Sequence, residues 1–176
     1  EGVMTNDGWH EKEAIALLGI WSPRIEFGVG SAEIGESGRK AGQEAIKKAI
    51  ESIGKTPTEK PKLILMHSAP GVEEEILQGI ADVVGKDVPV IGGSSGDNDL
   101  SGKWKQFAND RVYSNGVTLT AFYTDLKIGY QFSSGLGYVS TDKVGIVTKA
   151  KGRTIYTIDN RPAAEVYNEW LNGEIT

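Results

Sequence analysis

The chain reads as an α/β protein with a parallel βαβαβ portion and antiparallel β-hairpins, forming mixed sheet or sheets flanked by helices. Two observations carry this. In the first half, short apolar runs alternate with stretches of helical periodicity, the pattern of strand–helix–strand crossovers. In the second half, β-rich runs follow one another with only turn residues between them, the pattern of hairpins.

The first strand is Ile25-Glu26-Phe27, leading into Gly28-Val29-Gly30-Ser31-Ala32. Ser37 to Ile53 places Ala41, Ala45, Ile46, Ala49, Ile50 and Ile53 at helical spacing, and Gly54 with Pro57 stops it. Lys62 to Met66 is a short buried strand ending in His67-Ser68-Ala69-Pro70. Val72, Ile76, Leu77, Ile80, Ala81 and Val84 form a second amphipathic helix, whose Glu73-Glu74-Glu75 complements the helix dipole and which Gly85 ends. Val88 to Ile91 is the third strand, broken by Gly92-Gly93-Ser94-Ser95-Gly96-Asp97. After it come β-rich runs at Asp110–Tyr113, Val117–Tyr123, Ile128–Phe132, Val144–Lys149 and Thr154–Ile158. Pro162 opens a last helix at its first position, carrying Val166, Tyr167, Trp170 and Leu171 up to Asn172-Gly173. Ahead of all these, Trp9 to Ile20 with Ala14, Ile15, Leu17 and Leu18 suits a short helix stopped near Gly19. No internal repeat is read.

Composition bounds the function. The 176 residues are 39% hydrophobic and 24% charged, enough for one sizeable core. Nineteen basic against 24 acidic residues, without basic clusters, lack the footprint of a nucleic-acid binder. No apolar run approaches the roughly twenty residues of a membrane span, and a cytoplasmic location is the expectation. The absence of cysteine removes thiol chemistry and Cys-ligated zinc, and two histidines disfavour a histidine metal site. No cofactor and no metal are expected.

The three glycine- and serine-bearing stretches at the strand ends are the candidate site, because ligands of open α/β sheets bind outside the carboxyl ends of the strands. Its residues are Gly30, Ser31, His67, Ser68, Gly92, Gly93, Ser94, Ser95 and Asp97. The glycines allow close approach and the hydroxyls hydrogen bonds; Asp97 would meet an ammonium group and loop N–H groups a carboxylate. Each serine is equally suited to capping the following backbone. The plainer reading of His67 is a half-buried histidine bonded to a backbone carbonyl, and that of Trp104 and Phe107 is an anchor for the loop after Asp99.

Other motifs lack their context. Gly92-Gly93-Ser94-Ser95-Gly96 satisfies G-x-S-x-G, but no histidine follows Ser94, so a hydrolase using Ser94 is the third and least supported reading. Asp97-Asn98-Asp99-Leu100-Ser101-Gly102 copies the first half of a calcium loop, yet Ala108 stands at the twelfth position. Gly54-Lys55-Thr56 and Gly28, Gly30 and Gly35 miss the spacings of phosphate-binding loops.

Gly28-Val29-Gly30-Ser31-Ala32, Leu63-Ile64-Leu65-Met66 with His67-Ser68, and Gly92 to Asp97 before Phe107 occur in this order. Asn115-Gly116-Val117, Val147 to Ala150, Ile158-Asp159-Asn160, Pro162-Ala163 and Tyr167 continue the succession. It resembles the FIST domain, a sensory module of bacterial signalling proteins that also occurs in F-box proteins, over about Ile25 to Leu171. The resemblance implies a non-enzymatic sensor of a small polar ligand, an amino acid among the candidates, and no catalytic residues. It implies two kinds of partner, the small-molecule ligand and an attached or partner signalling protein. It divides the chain into an N-terminal extension, 1–24, and a sensor domain, 25–176, with a C-terminal half beginning near 162–176. The alternative is a protein-interaction scaffold without a small ligand.

Overall fold

The computed structural model describes residues 2–11, 14–97, 99, 101–131 and 140–174. The chain forms two compact units, residues 1–132 and 133–176.

In the first unit a hairpin of β1 (Gly2–Thr5) and β2 (Gly8–Glu11) precedes a four-stranded sheet. The sheet is built from β3 (Ile25–Glu33), β4 (Leu63–Ser68), β5 (Val90–Ser94) and β8 (Gly116–Thr124), in the order β3-β8-β4-β5. Pairing is antiparallel for β3 with β8 and for β8 with β4, and parallel for β4 with β5. The strands β3, β4 and β5 therefore run in one direction, as the alternating pattern requires, and β8 is inserted against them. A second hairpin, β6 (Gln106–Ala108) with β7 (Arg111–Tyr113), precedes β8.

The helices α1 (Gly38–Glu51) and α2 (Glu73–Val84) connect the parallel strands. Ser37 caps α1 by accepting a hydrogen bond from the Lys40 N–H, and Gly85 ends α2 with φ of 90°. Ala41, Ala45, Ile46, Ala49 and Ile50 of α1 and Ile76, Ile80 and Val84 of α2 are buried with Ala32, Ile64, Met66, Val117, Leu119 and Ala121 of the sheet. Strand residues of one parity thus face the helices. The helices approach the sheet and each other at backbone distance. A Cβ at Gly30 would lie 2.1 Å from the Ala45 carbonyl oxygen, and one at Gly79 2.0 Å from that of Arg39.

In the second unit β9 (Val147–Lys151) and β10 (Thr154–Ile158) form a hairpin, joined by β11 (Arg161–Pro162) and followed by α3 (Ala163–Trp170). Asp159 and Asn160 make the turn between β10 and β11 with positive φ, and the Asp159 carboxylate accepts the Ile146 N–H.

Four expectations are corrected. Trp9 to Ile20 is not a helix: Gly8–Glu11 pairs as β2, and residues 14–20 carry no regular structure. A short apolar cluster fits helix and strand equally, and the hairpin ladder decides. Gly28 to Ala32, His67-Ser68 and Gly92 to Ser94 are strand, not loop; Gly28 and Gly30 serve close packing against α1. Residues 128–131 form no strand, and Phe132 lies outside the described residues. Both sides of β8 are already paired, so the segment after it finds no adjacent ladder. Pro162 is the N-cap of α3, one position earlier than expected.

Candidate functional site

The strand register sorts the candidate residues. Ser31 pairs with Thr118, Thr118 with His67 and His67 with Gly93, which makes one rung across all four strands. The next rung is Ala32, Val117, Ser68 and Ser94. Successive residues point to opposite faces, so the two rungs lie on opposite sides of the sheet.

The rung of Ser68 and Ser94 faces the helices, as do Gly30 and Gly92. The Ser68 hydroxyl is fully buried without a hydrogen-bond partner among the described residues. Ser94 donates to the Glu73 carboxylate at 2.5 Å, and the other oxygen of that carboxylate accepts the Gly71 N–H. Glu75 accepts the Gly38 N–H. The acidic first turn of α2 thus already occupies the donors a ligand would use there. Gly92 has φ of 133°, and a Cβ on it would lie 1.8 Å from the Met66 carbonyl oxygen. Its conformation follows from the backbone.

On the other face, His67, Ser95, Lys105, Gln106, Phe107 and Thr118 line a cavity of about 310 Å³. Gln106 is its frame: it is 2% exposed, accepts the Gly116 N–H at 2.8 Å and donates to the Ser95 hydroxyl at 3.1 Å. The Ser95 N–H bonds the Ser68 carbonyl at 2.8 Å, which fixes the chain as it leaves β5. Lys105 donates to the Ser114 hydroxyl at 2.6 Å, and the Thr118 hydroxyl reaches the His67 carbonyl at 3.5 Å. The His67 side chain is exposed and its ring makes no hydrogen bond among the described residues, which corrects the half-buried, carbonyl-bonded histidine expected. Trp104 packs against the core, whereas Phe107 is an exposed rim of the cavity rather than an anchor.

Ser31 shares the rung of Thr118 and His67, but its hydroxyl bonds that of Tyr113 at 2.9 Å. Gly30 and Ser31 line a separate cavity of about 240 Å³ with Lys48, Asn109 and Arg111. The Lys48 ammonium bonds the Ser31 carbonyl at 3.2 Å and the Glu44 carboxylate at 2.6 Å. Asp97 organises a turn, accepting the Lys103 N–H at 2.8 Å and the Ser101 hydroxyl at 3.4 Å, while its other oxygen is buried without a partner among the described residues. Two hydrogen bonds from Ser101 hold the Asp99 carboxyl below its ordinary range. Among the described residues no three His, Asp or Glu side chains converge as metal ligands.

The cavity therefore gathers His67 and Ser95 from the expected set. It adds Lys105, Gln106, Phe107 and Thr118, which sequence reasoning left out of the site. Thr118 and Thr120 alternate with Val117, Leu119 and Ala121, a signal that one face of this run is polar.

Fold and site together define a mixed α/β domain with helices packed on one sheet face and, on the other, a small cavity lined by polar side chains and Phe107. The FIST N domain model matches residues 1–161, and the chain belongs to the FIST family. FIST domains are sensory domains of signalling proteins. An uncharacterized protein of the archaeon Methanocaldococcus jannaschii is 28% identical over 145 residues, covering 73% of this chain and 28% of that protein. The chain thus spans less than a third of that relative's length. A solved structure of an FtsZ point mutant from M. jannaschii aligns with a TM-score of 0.33 and 16% identity, covering 58% of this chain and 28% of FtsZ. That likeness is too slight to define fold or function. Among the described residues no helix is long and apolar enough to cross a membrane.

Proposed function

We propose that this domain senses a small polar ligand bearing a carboxylate, with amino acids as the first class to test, in the cavity lined by His67, Ser95, Lys105, Gln106, Phe107 and Thr118. The observation that supports this reading is the convergence, on one cavity, of a lysine ammonium, an unbonded imidazole and two hydroxyls around a fixed glutamine. A volume of about 310 Å³ is at the small end of ligand pockets, suited to a metabolite rather than a nucleotide. The Lys105 ammonium offers a charge-assisted bond to the carboxylate. The Ser95 and Thr118 hydroxyls and the His67 ring supply acceptors for an amino group, and Phe107 covers the apolar part. In this reading Asp97 shapes the turn beside the site and does not meet the ammonium. The domain binds and releases its ligand without chemistry, and an attached or partner signalling protein reads its occupancy.

The test is a thermal-shift screen of amino acids and other small carboxylates, followed by titration calorimetry of the best. A ligand at a hundred times its dissociation constant stabilises by about 2.7 kcal/mol. Lys105→Ala and His67→Ala are expected to weaken binding roughly tenfold or more, the worth of a hydrogen bond to a charged group. Undiminished binding in both variants, or silence across the screen, refutes the assignment.

A further inference from the structure

The β1–β2 hairpin and the β6–β7 hairpin are built alike. Each closes on a two-residue Asn-Asp loop, Asn6-Asp7 and Asn109-Asp110. Thr5 pairs with Gly8 as Ala108 pairs with Arg111, and Val3 with His10 as Gln106 with Tyr113. At the same constant offset, Ala14–Ile20 falls on Val117–Tyr123 of β8, and Arg24-Ile25-Glu26-Phe27 falls on Lys127-Ile128-Gly129-Tyr130. The chain thus contains the hairpin-plus-apolar-run pattern twice, a repeat too divergent in sequence to be seen without the matching ladders.

The two copies differ in surroundings. The second run is β8, held between β3 and β4, with Val117, Leu119 and Ala121 buried against the helices. The first run is apolar on both parities, where β8 is apolar on one, and among the described residues no sheet surrounds it: Leu17 is 93% and Leu18 87% exposed. Soluble proteins rarely leave so continuous an apolar stretch uncovered, and an apolar run on both faces is the signature of a central strand.

From the repeat we infer that Ala14–Ile20 is the β8-type central strand of a further unit of this same fold in the natural polypeptide, distinct from the unit described here, whose slot β8 fills; that further unit flanks it with two parallel strands running against it. The repeat names the partner's chemistry: strands of the β3 and β4 type, backed by two helices, with a slot one strand wide. By correspondence Ala14, Ala16, Leu18 and Ile20 take the helix-facing positions of Val117, Leu119, Ala121 and Tyr123. Ile15 and Leu17 take those of Thr118 and Thr120. The family match reaches back to residue 1 and so includes this segment. The inference stands independently of the ligand proposed above.

Hydrogen exchange on the natural polypeptide tests it. The amides of Ile15 to Ile20 are expected to exchange roughly a thousandfold or more slower than unstructured ones, as those of a central strand do, in the range of Thr118 to Tyr123. Leu18→Asp is expected to abolish that protection while β8 keeps its own, and Leu17→Asp to reduce it less. Exchange of residues 15–20 at the rate of an unstructured peptide overturns the inference. So does protection that appears only when lipid vesicles are added, or that survives Leu18→Asp. The wild-type measurement decides even if the variant fails to fold.

Discussion

Replacing Gln106 by methionine keeps its length and removes both polar atoms. The Gly116 N–H, which donates to the Gln106 carbonyl oxygen at 2.8 Å in a buried position, then has no acceptor. Such an orphaned donor costs about 1–3 kcal/mol. The Ser95 hydroxyl loses its donor at 3.1 Å, a smaller loss of about 0.5–1 kcal/mol because Ser95 is half-exposed and turns to water. The apolar methionine recovers a few tenths by burial. The net expectation is about 2–3 kcal/mol, a large part of the 5–15 kcal/mol of a typical domain. In melting temperature it is roughly 5–10 °C, at about 2–4 °C per kcal/mol for a chain of this size. Urea unfolding followed by tryptophan fluorescence measures it. Gln106→Glu is the control. A neutral carboxyl accepts the Gly116 N–H and donates to Ser95, but a buried carboxylate is disfavoured, so its folded-state pKa is raised. The glutamate variant should therefore be closest to wild type at low pH and lose stability as pH rises through the carboxylate range. A methionine variant within about 0.5 kcal/mol of wild type would refute the view that Gln106 frames the cavity.

Two further expectations concern groups away from the cavity. Ser68→Ala should be neutral or stabilising by up to about 1 kcal/mol, because it removes a fully buried hydroxyl that has no partner; clear destabilisation in a thermal melt would mean that the hydroxyl is bonded in solution. Asp82 is held far below the ordinary carboxylate range, first by the Arg39 guanidinium at 2.6 and 2.8 Å, then by the Gln43 and Gln78 amides. Since its folded pKa is depressed, its contribution is complete above the unfolded value near 3.8 and fades as pH falls below it. Asp82→Asn should flatten the acid side of a plot of melting temperature against pH, and an unchanged slope would contradict the assignment.

What the sequence disclosed is what local periodicity encodes. Helices α1 and α2, with their Ser37 cap and Gly85 stop, follow from the 3.6-residue spacing of Ala41 to Ile50 and Ile76 to Val84, and the common direction of β3, β4 and β5 from the helices between them. The position of β8 between β3 and β4 is a non-local pairing that no window of residues reports. Residues 14–20 illustrate the other difficulty: Ala14, Ile15, Leu17 and Leu18 satisfy helix and strand alike. In the site, Gly28 and Gly30 read as breaks because glycine is usual in turns, whereas they let α1 approach the strand at backbone distance. Gln106 was invisible for a third reason. Its role lies in hydrogen bonds to Ser95 and to the backbone of Gly116, and a glutamine in a short polar stretch announces neither.

The same parity bears on the reading of Ser94 as a nucleophile. A serine nucleophile needs a base within about 2.6–3.2 Å, and Ser94 and His67 are neighbours across the β4–β5 ladder. His67 pairs with Gly93, however, and Ser94 with Ser68, which puts the hydroxyl and the imidazole on opposite faces of the sheet. Bringing them together would take a one-residue slip of β5 against β4, which would turn every side chain of β5 over. Gly93 would then stand opposite Met66 in place of Gly92, and Ile91 opposite Ile64 in place of Val90. The slip also breaks the bond from the Ser95 N–H to the Ser68 carbonyl that fixes the cavity wall. The arrangement that separates Ser94 from His67 is therefore the one that leaves His67 facing the cavity with Thr118 and Ser95.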